Sequence, residues 1–223
     1  MALVHKAFKL FKPEDKIVYV DIGAYVGVVV GQCADTFPNA KILAVEPCPT
    51  NFDVLKGRFA DDDRVILENC AIGSDNKQRT LYCTSVKGLK GSSESNTFHG
   101  KVLEYKKKTK HRITNIKRMK VDVVTLDHLL ARHGIKHIDI LKFNCEGGEY
   151  EVFEAKTLEW LSKTKYISID MHSDNPFYHT KKYVEKRKNM YRTMQKHGFE
   201  RILGSHKMRS EEDVSMLLER TGR

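Results

Sequence analysis

A chain of 223 residues with 40% apolar side chains can bury one large core, and no run reaches the ~18 consecutive apolar residues that a membrane span needs. The formal net charge of +10 is placed unevenly, much of it in 101–120 and 181–196, where such runs form solvated faces or sites for phosphate and nucleic acid. Five cysteines, Cys33, Cys48, Cys70, Cys83 and Cys145, make an odd number with no CxxC pair, which argues against a disulfide framework or a zinc centre and fits a reducing, cytoplasmic setting.

The N-terminal "MALVHKAFKLF" interleaves basic and apolar residues, which predicts a short amphipathic helix rather than a secretory signal. "KIVYVDIG" (16–23) is β-branched and apolar and ends in Asp and Gly, the pattern of a buried parallel strand. Residues 26–37 form a helix that Pro38 and Asn39 close. "KILAVEP" (41–47) is a strand, 49–60 a helix and "RVILENCAIG" (64–73) a strand. Strands alternating with helices of this length imply a parallel sheet with helices on both faces.

Residues 74–120 break that rhythm with a Gly/Ser patch (87–96) and the first basic run, and read as a partly mobile excursion over the active end of the sheet, centred on about 85–118. Residues 119–134 then give a short strand and a helix capped by Thr125 or Asp127. "HIDILKFN" (137–144) is a strand, and "EGGEYEVFEAKTLEWL" (146–161) a helix starting near Gly147. "KYISIDMH" (165–172) is a fifth parallel strand, 177–198 a long basic helix, and 199–203 and 213–220 are two terminal strands. No linker interrupts the chain, which reads as a single domain over 1–223.

Ligands of open parallel sheets bind beyond the carboxyl ends of the strands. After the first strand, Asp21, Gly23 and Gly27 surround a tight turn into a helix, and this turn is not the GxGxxG of a pyrophosphate loop. After the second strand stands Glu46, where a carboxylate accepts hydrogen bonds from ribose hydroxyls. After the third, Asn69 through Gly73, with Ala71 at the centre, are placed to flank an adenine ring. A ribose carboxylate without a phosphate loop points to an adenosine ligand lacking phosphates, of which S-adenosylmethionine is the common example.

"VDIGAYVG", "VEPCPTNFDVL", "NCAIG", "VVTLDHLL" and "IDILKFNCEGGEYEVFEA", in this order, resemble the FkbM family of S-adenosylmethionine-dependent methyltransferases over roughly residues 17–175. The resemblance implies a class I methyltransferase fold: a Rossmann-like α/β architecture with a mostly parallel seven-stranded sheet and an antiparallel last strand. It also implies O-methylation of a sugar, lipid or polyketide hydroxyl. It places Asp21, Gly23 and Gly27 in the cofactor loop, Glu46 on the ribose, and Lys142, Glu146, Gly147 and Glu149 in an "LKxDxEGxE" signature. The chain departs from the family at Tyr25, where Asn is usual, and at Asn144, where Asp is usual. Tyr25 thus bears on how the loop covers the methionine moiety, and Asn144 removes a carboxylate beside the transferable methyl.

An alcohol acceptor must lose its proton, and the candidate bases are Glu146, Glu149 and His172 at the end of the fifth strand. Lys142, inside a strand, needs a carboxylate partner, Glu146 or Asp21, and serves either to hold the strand end or to fix the acceptor. No metal is predicted, because Asn144 weakens the carboxylate cluster that a hard cation wants. The basic segments 85–118 and 174–196 predict a small anionic acceptor. Two alternatives stand beside this reading: a nucleic-acid methyltransferase that uses 101–120 and 181–196, and a non-catalytic protein that binds an adenosyl ligand.

Overall fold

The structure, a computed structural model, describes residues 3–86, 96–98, 113–171, 179–204 and 215–221. A short helix, α1 (Val4–Phe8), precedes the alternating elements β1 (Val18–Ile22), α2 (Val28–Thr36), β2 (Lys41–Val45), α3 (Pro49–Phe59) and β3 (Val65–Glu68). Then come β4 (Ala71–Ile72), β5 (Lys77–Val86), β6 (Ile113–Val124) and α4 (Leu126–Arg132). The chain continues through β7 (Ile138–Phe143), α5 (Glu149–Val152), α6 (Glu159–Lys163), β8 (Thr164–Asp170), α7 (Lys181–Lys196), β9 (Phe199–Gly204) and β10 (Ser215–Arg220).

Seven strands form one sheet in the order β3-β2-β1-β7-β8-β10-β9. The first five are parallel, and β10 runs antiparallel between β8 and β9. This is the class I methyltransferase arrangement that the sequence predicts. Register explains how β-branched and aromatic runs bury both faces. Tyr19, Ile42, Ile140 and Tyr166 pair across four strands into one row, and Val20, Leu43, Leu141 and Ile167 into the next. Successive residues point to opposite faces, so the first row joins the core under α1 and α2 and the second the core under α4 and α6.

Three expectations need correction. The strand predicted over 64–73 is two strands: β3 stays in the main sheet, and β4 turns away to pair with β6. The described residues at the two ends of the excursion are β-strand, because β6 begins at Ile113, well before the short strand predicted from 119, and pairs antiparallel with β5. With β4 they make a second sheet, β4-β6-β5, so the basic residues Lys117, Arg118 and Lys120 stand on an extended strand. The helix predicted over 146–161 is broken into α5 and α6. Phe143, Phe153 and Trp160 pack edge to face or tilted, with ring centroids 5.3–6.3 Å apart, which turns Phe153 and Trp160 inward from different directions. Asp127 stabilises the new start by accepting the N–H groups of Glu159 and Trp160 at 3.1 and 2.8 Å. The α4 N-cap is therefore Thr125, whose Oγ1 accepts from His128 N.

Candidate active site

Strand order reverses at β1, which has β2 on one side and β7 on the other, and a crevice opens beyond the carboxyl ends of these strands. It is a cleft of about 300 Å³. Ile22–Tyr25, Val28 and Val29, Glu46–Pro47, Cys70–Ile72 and Asn144–Glu146 with Gly148 line it, joined by Leu81 of β5 and residues 96–98.

The floor depends on glycine where backbone meets backbone. Gly23 and Ala24 donate to the carbonyl of Val45, while Asn144 N donates to Ile22 O, so the two turns are drawn together. Gly23 has φ +84°, and a Cβ there would lie 2.0 Å from the carbonyl oxygen of Asn144. Among the described residues, two that are not glycine also adopt the left-handed region, Tyr25 at φ 55° and Glu146 at φ 54°, and both line the cleft. Such conformations are rare for residues with side chains, and strain of this kind gathers at functional sites.

Tyr25 shows what its conformation achieves, because its N–H donates to Glu46 Oε2 at 3.0 Å. Cys48 N donates to Glu46 Oε1 at 2.9 Å, and Asn51 Nδ2 adds a longer bond of 3.4 Å. The carboxylate is thus aimed by three donors while only 5% of Glu46 is exposed. Burial pushes its pKa up to about 7, against the lowering effect of those three bonds.

On the opposite wall Lys142 Nζ lies 2.7 Å from Asp21 Oδ1 and 3.4 Å from Gly23 O, and Asp21 Oδ2 accepts from Tyr19 OH at 2.9 Å. Asp21 and Lys142 are register partners on β1 and β7, and both are buried. Of the two partners predicted for Lys142, the structure selects Asp21. Beside this pair Glu149, fully buried, accepts Gly147 N–H at 3.0 Å and holds the turn that carries Glu146.

The cleft brings together Gly23, Tyr25, Glu46, Ala71, Lys142, Asn144 and Glu146. Asp21 sits behind Lys142. Gly27 caps α2 at φ +81°, facing Leu55 and Phe59 rather than the cleft. Asn69 spends its amide on the carbonyls of Glu46 and Pro47, so it ties the two strand ends together instead of facing a ring. His172 lies outside the described residues. Asn51 and Val28 also line the cleft and are not among the predicted site residues, and residues 96–98 belong to the excursion expected over the active end without being singled out within it. Asn51 sits in the first turn of α3, where a polar residue reads as an ordinary helix start, and residues 96–98 follow a stretch without periodicity.

The donor set suits the adenosyl ligand proposed above. An acceptor-only carboxylate matches a ribose diol, which can donate twice. Lys142 is the cation among the described lining residues, and its ammonium is held by Asp21 rather than presented to a phosphate.

The Methyltransferase FkbM domain matches residues 21–201. The chain belongs to that family. S-adenosylmethionine is the methyl donor that FkbM methyltransferases use. The chain is 28% identical over 167 residues to Methyltransferase sdnD of Sordaria araneosa, covering 68% of this chain and 64% of that protein. It thus spans just under two thirds of that curated relative. Among solved structures, a provisionally assigned O-methyltransferase from Klebsiella pneumoniae is similar, with a TM-score of 0.53 at 11% identity over 99% of this chain and 77% of that one. A provisionally assigned methyltransferase from Streptococcus mutans, in complex with SAH, gives 0.51 at 9% identity over 98% and 96%. An rRNA methylase from Streptococcus thermophilus gives 0.50 at 11% identity over 98% and 94%. At such identities these likenesses establish the fold. No helix among the described residues is long and apolar enough to cross a membrane.

Proposed function

We propose that this FkbM-family protein transfers the methyl group of S-adenosylmethionine to a hydroxyl of a small anionic acceptor of sugar, lipid or polyketide type. The observation that carries the reading is Glu46, a carboxylate held by three N–H donors at the mouth of β2, in a cleft whose lysine is already paired. Glu46 binds the ribose, with Gly23, Tyr25, Ala71 and Asn144 around the rest of the cofactor.

Bound there, S-adenosylmethionine supplies an electrophilic methyl group on a sulfonium. Held by Glu46, Gly23, Tyr25, Ala71 and Asn144, it would offer that methyl group for an in-line, charge-cancelling transfer, so the chain's own contribution is chiefly alignment. Well-oriented reactants gain roughly 7–11 kcal/mol from such positioning. The Lys142–Asp21 pair supports that alignment by fixing the floor at Gly23, and Glu146 takes the acceptor proton. A positioned base adds about 10²–10⁴-fold. His172 is the alternative base.

A nucleic-acid acceptor is the second reading, favoured by the exposed Lys117, Arg118 and Lys120 on β6 and Lys181, Lys182 and Lys188 on α7. Tritiated methyl transfer to bulk RNA, measured beside glycan, lipid and small-hydroxyl pools, tests both. Label in a small-hydroxyl pool supports the first reading, and label confined to RNA overturns it.

A further inference from the structure

Residues 96–98 form a strap between the two walls of the cleft. Thr97 adds to the edge of β5 by a bridge with Tyr82, through backbone bonds of 2.9 and 3.2 Å. Asn96 Oδ1 accepts Thr84 N–H at 2.9 Å, which fastens the strap to the same strand. Toward the β7 side, Thr97 Oγ1 donates to the carbonyl oxygen of Glu146 at 3.3 Å. Toward the β2 side, Phe98 packs against a small apolar cluster that includes Cys48 and Leu81. Cys48 is the residue whose N–H donates to Glu46, and Phe98 lines the same cleft as Glu46.

A second observation describes what holds the ring. Arg79 stands over Phe98 with Cζ 5.5 Å from the ring centroid, and its guanidinium pairs with Glu151 of α5. Glu151 Oε2 is 4.0 Å from the point that a Cβ on Gly73 would occupy, which sets the pair beside the end of β4, in the 69–73 stretch expected to flank an adenine ring. A guanidinium on one face of a phenyl ring leaves the other face for a second partner.

We propose that Phe98 belongs to the adenosyl site, where its ring stacks on the purine of the cofactor, and that the Arg79–Glu151 pair is the brace that holds the ring in place. This rests on the reading of Glu46 as the ribose residue. Residues 96–98, outside the alternating strands and helices, then complete the cofactor site. Arg79 and Glu151 act through Phe98 and are positioning residues.

Calorimetric titration of the full chain with S-adenosylhomocysteine and, separately, with adenosine tests the proposal without an acceptor. Phe98→Leu keeps apolar bulk and removes the π face, and it should weaken both ligands by the same factor, roughly 5- to 100-fold. Phe98→Trp should bind near the wild-type level. Arg79→Ala should weaken both ligands more modestly, and Arg79→Lys, which keeps a cation over the ring, should restore most of the loss. Arg79→Ala leaves the apolar contacts of the strap in place, so it carries the comparison if Phe98→Leu does not fold. Wild-type affinity in Phe98→Leu overturns the proposal, as does a loss for S-adenosylhomocysteine that adenosine does not share. Failure of the wild-type chain to bind either ligand overturns the Glu46 reading and this proposal with it, whereas normal wild-type binding with an indifferent Phe98 overturns this proposal alone.

Discussion

Lys142 on β7 reaches the neighbouring strand and places Nζ 2.7 Å from Oδ1 of Asp21, with 9% of its side chain exposed and none of its partner's. The pair stands where strand order reverses, with Lys142 Nζ also 3.4 Å from Gly23 O. Removing one member leaves a buried charge without its partner, which costs about 3–5 kcal/mol. Lys142→Ala and Asp21→Ala should each lower the unfolding free energy by that much, and the double variant by less than the sum. A double-mutant cycle in urea measures the coupling, and strict additivity would show that the pair is not interacting.

Gly23→Ala introduces a Cβ at φ +84°, 2.0 Å from a backbone oxygen that cannot step aside. It should cost about 1–3 kcal/mol of stability. It should also abolish S-adenosylmethionine binding at concentrations that saturate the wild type. Gly57→Ala, where a Cβ would meet nothing within 4 Å, is the control and should leave binding unchanged.

The buried Glu46 predicts a pH dependence with a definite sign. Its raised pKa means that the folded protein holds this proton more tightly than the unfolded chain, so the associated stability is present at acid pH and is lost as pH rises through about 7. Ligand binding runs the other way, because a ribose diol donates to the ionised form. S-adenosylhomocysteine affinity should therefore fall as pH drops below about 7, with a proton released on binding. Calorimetry in buffers of different ionisation enthalpy reads that proton directly, and pH-independent affinity in wild type would remove Glu46 from the ribose.

Glu146→Gln keeps the size of the side chain and removes its basicity. Turnover should fall about 10²–10⁴-fold with cofactor affinity nearly unchanged. Full turnover would pass the role of base to His172.

Strands were legible wherever both faces are buried, because β1, β2, β7 and β8 read as continuous apolar runs that end in Asp, Glu, Asn or Gly. Periodicity failed where tertiary contacts override it. An aromatic cluster and the Asp127 cap break the helix after Gly148, and a sheet of its own draws β4 away from β3. Within the site, Glu46 and Lys142 were legible because a carboxylate at a strand end and a lysine inside a strand are costly without a purpose. Asn51 and Phe98 were not, since an Asn in a first helical turn and a Phe after a Gly/Ser patch are unremarkable until the fold brings them to the cleft.

The most direct test is S-adenosylmethionine titrated into the wild-type chain and into Glu46→Ala. The account predicts one cofactor bound per wild-type chain, and an affinity at least about tenfold weaker in the variant, as expected when a charged hydrogen-bond partner is lost. No binding to the wild type at millimolar cofactor, or equal affinity in the two proteins, would contradict it.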